Sequence, residues 1–252
     1  TGGEPTMRID LVKLVRAGQC FVTRLNTNGR LLTSPLCKSL YEASLDAVQV
    51  TLYSADPAVH NRLVGAPGFE DTVSGIRNAV NAGLNVSINT PLCSLNQDYA
   101  ATLAFVRSLG VRYCTCSGLI PAGSAVERPS VGTRLSTEAL TDVLRRAKDY
   151  ADHNGMELEF TSPGWLEDAV LEQLGFAMIP SCGACLSNMA IAPDGTVLPC
   201  QSWLSGPGLG NILHQPWHKI WSGAECRRIR SVSARMEHIC QLGDPRRPKE
   251  DA

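Results

Sequence analysis

The chain has 252 residues, 44% of them hydrophobic, with 23 Lys and Arg against 24 Asp and Glu and a formal net charge of −1. That length suits one large domain plus a small one, and the balanced charge makes no electrostatic case for a nucleic acid or an anionic membrane partner. No apolar run approaches the ~18 residues of a membrane span, and ten cysteines, some in paired spacing within an α/β-like chain, point to metal binding in a reducing cytosol rather than to disulfides.

Apolar runs rich in β-branched residues predict strands over 21–26, 47–53, 84–89 and 111–116. Helical spacing lies between them. Val73, Ile76 and Val80 recur over 70–82 before Gly83, and Leu103, Val106 and Leu109 recur over 98–109, behind a capping Asp98 and before Gly110. Strand–helix repeats of roughly 25–35 residues argue parallel βα units, which composition alone lets close as a barrel or open as a doubly wound sheet. Residues 121–134, rich in Gly, Ser and Pro, read as a connecting loop. Ser136 caps a helix reaching His153, with Leu140, Val143, Leu144, Ala147 and Ala151 on one face. A strand over 156–161 and a short helix over 165–174 follow. A cysteine-rich extension covers 181–242, closed by a helix over 217–230, and the polar tail 243–252 is expected to fray.

The densest chemistry is in the extension. Cys182 and Cys185 are two residues apart, so both sulfurs reach one metal. A short strand, the turn Pro193-Asp194-Gly195 and a second strand carry Cys200 back towards them. In that turn Pro presets its dihedral, Asp caps and Gly takes the left-handed position. Three thiolates at one point call for a soft cation, an iron–sulfur cluster or zinc, and the spacing leaves both open. Cys20, Cys37, Cys93, Cys114 and Cys116 are scattered and read as packing residues, Cys116 lying nearest a ligand-facing strand end. His214 and His218, flanking Trp217, read as packing or surface residues. Thr27, Asn28, Thr51, Ser54, Ser87, Asn89 and Thr90 fall near the carboxyl ends of predicted strands, the usual ligand face of parallel α/β folds. Gly2 and Gly3 let a ligand approach the backbone, and the Glu4 carboxylate beside them suits an ammonium group.

Three of these motifs together carry a family resemblance. Gly2-Gly3-Glu4-Pro5-Thr6 resembles the signature closing the second barrel strand of radical S-adenosylmethionine (SAM) enzymes, and Thr27-Asn28-Gly29 resembles the end of their third. Cys185, nine residues, Gly195, four residues and Cys200 resemble the opening of the cysteine-rich extension called SPASM, or its shorter relative twitch. Cys182 to Gly195 fits as well. The resemblance implies an α/β chain with a partial (β/α)6 radical SAM barrel lacking its first βα unit over 1–134. A connecting helix and strand region follows over 135–180, then a small cysteine-rich α+β extension over 181–252.

The resemblance also implies SAM bound by Gly2, Gly3, Glu4, Thr27, Asn28, Thr51, Ser54 and Asn89, with Glu4 on its amino group and the adenine near Ser87, Asn89 and Thr90. It implies one auxiliary [4Fe–4S] cluster on Cys182, Cys185, Cys200 and a fourth thiolate. Cys240 is preferred to Cys226 for that place because the chain can return to the cluster after the closing helix. The family's catalytic [4Fe–4S] cluster uses a Cys-x3-Cys-x2-Cys motif that occurs nowhere in residues 1–252, so the chain is expected to be a fragment that does not cleave SAM by itself. Two further motifs depart from the family. Thr51-Leu52-Tyr53-Ser54 stands where Ser-Leu-Asp-Gly is frequent, and His60-Asn61-Arg62-Leu63-Val64-Gly65 stands where many relatives have His-Asp-x-x-Arg-Gly. The implied activity is reductive cleavage of SAM to a 5′-deoxyadenosyl radical that modifies a peptide or protein. The implied setting is cytoplasmic, with flavodoxin or ferredoxin as electron donor and no nucleic acid or membrane partner. The rival expectation is a non-catalytic zinc- or iron–sulfur-binding module on a vestigial barrel.

Overall fold

The computed structural model describes residues 3–119, 133–203 and 208–235. They fall into two compact units, one of Glu4–Thr161 with Val170–Met178, the other of residues 162–169 and those from Ile179 onward, together with Gly3. No helix among the described residues is long and apolar enough to cross a membrane.

The first unit opens with a 3-10 turn (Pro5–Met7) and α1 (Leu11–Ala17). It continues through β1 (Arg24–Thr27), α2 (Ser34–Glu42), β2 (Ala47–Thr51), α3 (Pro57–Val64) and α4 (Phe69–Asn81). After these come β3 (Val86–Leu92), α5 (Tyr99–Ser108), β4 (Tyr113–Gly118), α6 (Thr137–His153) and β5 (Glu157–Phe160). The five strands form one parallel sheet in the order β1-β2-β3-β4-β5. A doubly wound sheet reverses its strand order at a switch point. This sheet does not, so right-handed crossovers all run the same way and lay their helices on one face, the winding of a barrel.

Strand register shows which face that is. Leu25, Val48, Val50, Ile88, Cys114, Cys116 and Phe160 are buried on the helix-covered side. The alternate positions, Asn26, Gln49, Thr51, Ser87, Asn89, Thr115 and Glu159, make the opposite face polar. On that face Ser87 and Thr115 are buried and Gln49, Thr51, Asn89 and Glu159 half-buried, so the polar side is largely enclosed.

The long helices follow their patterns. Ser136 Oγ accepts from Ala139 N–H at 3.2 Å, and α6 buries Leu140, Val143, Leu144, Ala147 and Ala151. The buried stripe of α4 includes Val73, Ile76 and Ala79, with Val80 turned partly outward. β1 begins at Arg24 rather than at 21, because Phe21 and Val22 are 73% and 90% exposed and take no place in the sheet. α3 is set by capping: Asp56 accepts from Ala58 N–H, Pro57 opens the helix, and Gly65 ends it in the left-handed conformation.

In the second unit β6 (Ala190–Ile191), β7 (Thr196–Leu198) and β8 (Gly210–Asn211) form an antiparallel sheet in that order. The β6–β7 turn is closed by Gly195 N–H on Ala192 O at 2.9 Å, with Gly195 at φ 86°. Of α7 (Asp168–Gln173), residues 168–169 belong to this unit and residues 170–173 to the first. The helix expected over 217–230 is two helices, α8 (Trp217–Trp221) and α9 (Ala224–Arg235), broken at Ser222-Gly223, where glycine's low helix propensity favours the stop.

Candidate functional site

Two constellations carry chemistry, one in each unit. In the first, Glu4 caps the opening turn and reaches the carboxyl end of β1. Its Oε1 accepts from Thr27 Oγ1 at 2.5 Å, Thr6 Oγ1 at 2.6 Å and Thr6 N–H at 3.1 Å, and its Oε2 accepts from Asn28 N–H at 2.8 Å. Burial works to raise the Glu4 carboxyl, but the hydrogen bonds from Asn28, Thr27 and Thr6 outweigh it and hold the group below the usual carboxylate range. The anion is thus fixed at the strand end, and Oε2, with a single donor, keeps room for a cationic one. The loop beneath is braced by α4: Thr72 Oγ1 donates to Asn28 O at 2.9 Å, and a Cβ added at Gly75 would collide with the carbonyl oxygen of Gly29. Gly3 is left-handed, at φ 70°. Gly2 lies outside the described residues.

Thr51 and Asn89 are register neighbours at the carboxyl end of the polar face, and Asn89 pairs in turn with Thr115. Gln49 Nε2 donates to Thr115 Oγ1 at 3.2 Å, and Thr115 Oγ1 donates to Asn89 Oδ1 at 2.9 Å. Ser87 shares this face, but Thr90 is on the other, fully buried, its hydroxyl on Leu52 O at 2.7 Å. Ser54 is buried and accepts from Asp56 N–H at 3.0 Å, shaping the turn into α3. Sequence reasoning overlooked Gln49 and Thr115, and also Tyr113, whose hydroxyl donates to Glu159 Oε2 at 2.6 Å on the same face. The signal was present as single polar residues at alternate positions of otherwise apolar strands. In the variant motif Asn61 caps α4, its Oδ1 accepting from Gly68 and Phe69 N–H at 2.9 and 3.0 Å.

Cys116, read as a packing residue near a ligand-facing strand end, is fully buried on the helix-covered side. Burial pushes the Cys37 thiol up to about 11 and that of Cys114 to about 12, and Cys116 further in the same direction. Cys93 is buried after β3, and Cys20 is exposed after α1. Cys114 and Cys116 share β4 and the other three lie elsewhere, and among the described residues these thiols form no metal-ligand group.

The second constellation does gather thiols. Cys182, Cys185 and Cys226 are buried in one small core with Ala184, Trp203 and Ile229, and Cys200 packs against it. The Cys182–Cys185 loop is tight: Leu186, Ser187 and Asn188 N–H all donate to Gly183 O, and Cys185 sits in the left-handed region at φ 55°. Cys185 N–H donates to Pro199 O at 3.0 Å, which sets Cys185 beside the residue preceding Cys200. Burial raises the Cys185 thiol, and Cys226 in hydrogen-bond contact raises it further, while the Arg230 guanidinium pulls it down. Among the described residues no three such side chains are already drawn together as a closed metal site. The donor chemistry nonetheless suits a soft metal group, since Cys182, Cys185 and Cys226 share one small core and Cys200 packs against it. Cys240 lies outside the described residues.

Residues 1–106 match the model of the radical SAM superfamily, and residues 178–242 match the SPASM iron–sulfur cluster-binding domain. The chain is 27% identical over 252 aligned residues to an AdoMet-dependent heme synthase of Methanosarcina barkeri, a likeness covering 90% of this chain and 68% of the relative. It is 27% identical over 231 residues to the PqqA peptide cyclase of Ruegeria pomeroyi, covering 87% of this chain and 60% of the relative. In fold it is similar to Streptococcus suis SuiB, solved bound to the precursor peptide SuiA, with a TM-score of 0.75 at 15% identity, covering 96% of this chain and 60% of that one. The chain therefore spans between 60% and 68% of the length of these proteins.

Proposed function

The chain belongs to the radical SAM superfamily through residues 1–106 and carries a SPASM iron–sulfur domain over 178–242, and from that premise we propose that it is the SAM-binding and auxiliary-cluster portion of an enzyme that modifies a peptide or protein. Members of the superfamily are enzymes, and the two domains imply SAM and [4Fe–4S] clusters as cofactors. SAM bound in such a site would supply, on taking up one electron, a 5′-deoxyadenosyl radical for hydrogen abstraction with methionine as the other fragment, chemistry that belongs to the cofactor.

The observation that carries this reading is the fixed Glu4 anion at the carboxyl end of β1, next to the polar strand ends Thr51 and Asn89. Glu4 receives the SAM amino group through Oε2, while Thr27 and Asn28 keep it ionised and aimed. Gly2 and Gly3 let the ligand backbone come close, and Thr51 and Asn89 meet the ribose and adenine. Ser54 supports this site through the loop after β2. In the extension Cys182, Cys185, Cys200 and Cys226 hold the auxiliary cluster. The common core supports Cys226 as a fourth ligand, while Cys240 lies outside the described residues and stays the other candidate. The described residues provide no ligands for a second, SAM-cleaving cluster, and no step is assigned to one. A low-potential one-electron donor such as flavodoxin or ferredoxin is the partner this chemistry requires.

The peptide substrate rests on the likeness to PqqA peptide cyclase and to SuiB. A tetrapyrrole is the second reading, favoured by the likeness to the heme synthase over 90% of this chain. The SAM site is tested by equilibrium dialysis of SAM against the full chain. Wild type is expected to bind, and Glu4→Gln and Asn89→Leu to bind at least tenfold more weakly. Equal binding by all three proteins would overturn the assignment.

A further inference from the structure

We propose that Arg230 positions and tunes the auxiliary cluster, donating a charged hydrogen bond to the Cys226 sulfur that makes the cluster easier to reduce. This rests on the reading of Cys182, Cys185, Cys200 and Cys226 as its ligands.

Arg230 follows Cys226 by four residues on α9, so the two side chains share a helix face. Four contacts fix the guanidinium. Nε donates to Cys185 O at 2.7 Å, Nη2 donates to Trp221 O at 3.0 Å, and the guanidinium carbon lies 3.6 Å above the Trp221 ring. The fourth contact is Nη2 donating to Cys226 Sγ at 3.2 Å. A surface arginine samples many rotamers; this one is clamped by two carbonyls and a ring, and its Nη2 divides its donors between Trp221 O and the Cys226 sulfur. The neighbouring Glu225 carboxylate is taken up by Arg228, with contacts of 2.6 and 2.8 Å. None of Arg230's own partners carries a neutralising charge.

The position also links two ligand segments. Through Nε the arginine holds the Cys182–Cys185 loop, and through Nη2 it meets the cysteine of α9. Reduction adds one electron to the cluster with no bond made or broken, and the added negative charge spreads over the ligand sulfurs. A cation hydrogen-bonded to one of those sulfurs, among the apolar side chains of Trp203 and Ile229, stabilises the reduced state more than the oxidised one. The reduction potential therefore rises.

The test uses the full chain loaded anaerobically with iron and sulfide, in a redox titration followed by electron paramagnetic resonance. Arg230→Met and Arg230→Gln are expected to make reduction about tenfold less favourable, a shift of ~59 mV to lower potential for one electron. Arg230→Lys keeps the charge without the fork and is expected to recover part of that shift. An unchanged potential in iron-replete Arg230→Met would overturn the proposal. So would loss of iron from all three variants, which would make the arginine a brace for the fold alone. Should Arg230→Met alone fail to load, Arg230→Gln supplies the decisive potential. A wild-type chain that holds no iron would refute the ligand reading itself, an outcome distinct from an unchanged potential.

Discussion

Replacing Gly75 by Ala tests whether the Glu4 site depends on a close approach of α4 to the loop after β1. An added Cβ would lie 3.0 Å from the carbonyl carbon of Gly29 and 3.2 Å from Leu32 Cβ, and would collide with the Gly29 carbonyl oxygen. Carbon atoms pack at about 3.5–4.0 Å and the Gly29 oxygen is closer still, so helix and loop must part by roughly 1 Å or more. The loop cannot yield easily, because Gly29 is left-handed at φ 79° and the space above it is filled by Val50 Cγ1. Ala is favoured over Gly within a helix by about 1 kcal/mol. Against that stand up to about 3 kcal/mol for overpacking and about 1 kcal/mol for the strained Thr72–Asn28 hydrogen bond. The net expectation is a destabilisation of about 3 kcal/mol, read from urea unfolding of the full chain by circular dichroism. Asn28 N–H would move with the loop, so SAM affinity should fall as well. Ser74→Ala, at an exposed position on the same helix, is the control and should leave both unchanged. A Gly75→Ala chain more stable by the bare propensity gain would refute the packing argument.

Further outcomes follow from single side chains. Burial pushes the His60 imidazole down to about 4 from 6.5, so the unfolded chain takes up that proton first and stability should fall as pH drops from 6.5 to 4; His60→Gln should flatten the urea midpoint over that window. Glu4 is held below its usual 4.5, so its contribution is present above 4.5 and is lost as pH falls through its lower folded value, a loss that Glu4→Gln should not show. Asn61→Ala removes the cap of α4 and should cost about 1 kcal/mol in urea unfolding, whereas Asn61→Asp should hold or gain stability beside the helix N-terminus. Cys200→Ala should lose iron and protease resistance in the extension, while Cys37→Ala, in the core of the first unit, should keep its iron.

The parts of this molecule that were legible in the sequence are those where local pattern and tertiary role coincide. α6 combines a capping Ser136 with a long apolar stripe, and both survive in the structure. The Pro193-Asp194-Gly195 turn was legible because each residue answers a dihedral requirement. α3 was not, since among its side chains only His60 is buried and its signals are two caps rather than a periodicity. Thr90 and Asn89 show what a one-residue step does in a strand, one sealed in the core and its neighbour on the polar face. The place of Cys226 depended on the break at Ser222-Gly223, which starts α9 afresh and turns Cys226 and Ile229 into the thiol pocket. Arg230 was visible only as a residue four positions after a cysteine, a spacing with no meaning until that cysteine had a role.

In the proposed site the extension holds an iron–sulfur cluster on four thiolates drawn from the Cys182–Cys185 loop, Cys200 and α9. Metal and sulfide analysis of the anaerobically reconstituted full chain tests it most directly, with Cys226→Ala and Cys20→Ala alongside. Wild type and Cys20→Ala should hold about four irons and about four sulfides per chain, and Cys226→Ala should lose most of them. A colourless protein holding one tightly bound zinc and no sulfide would contradict it.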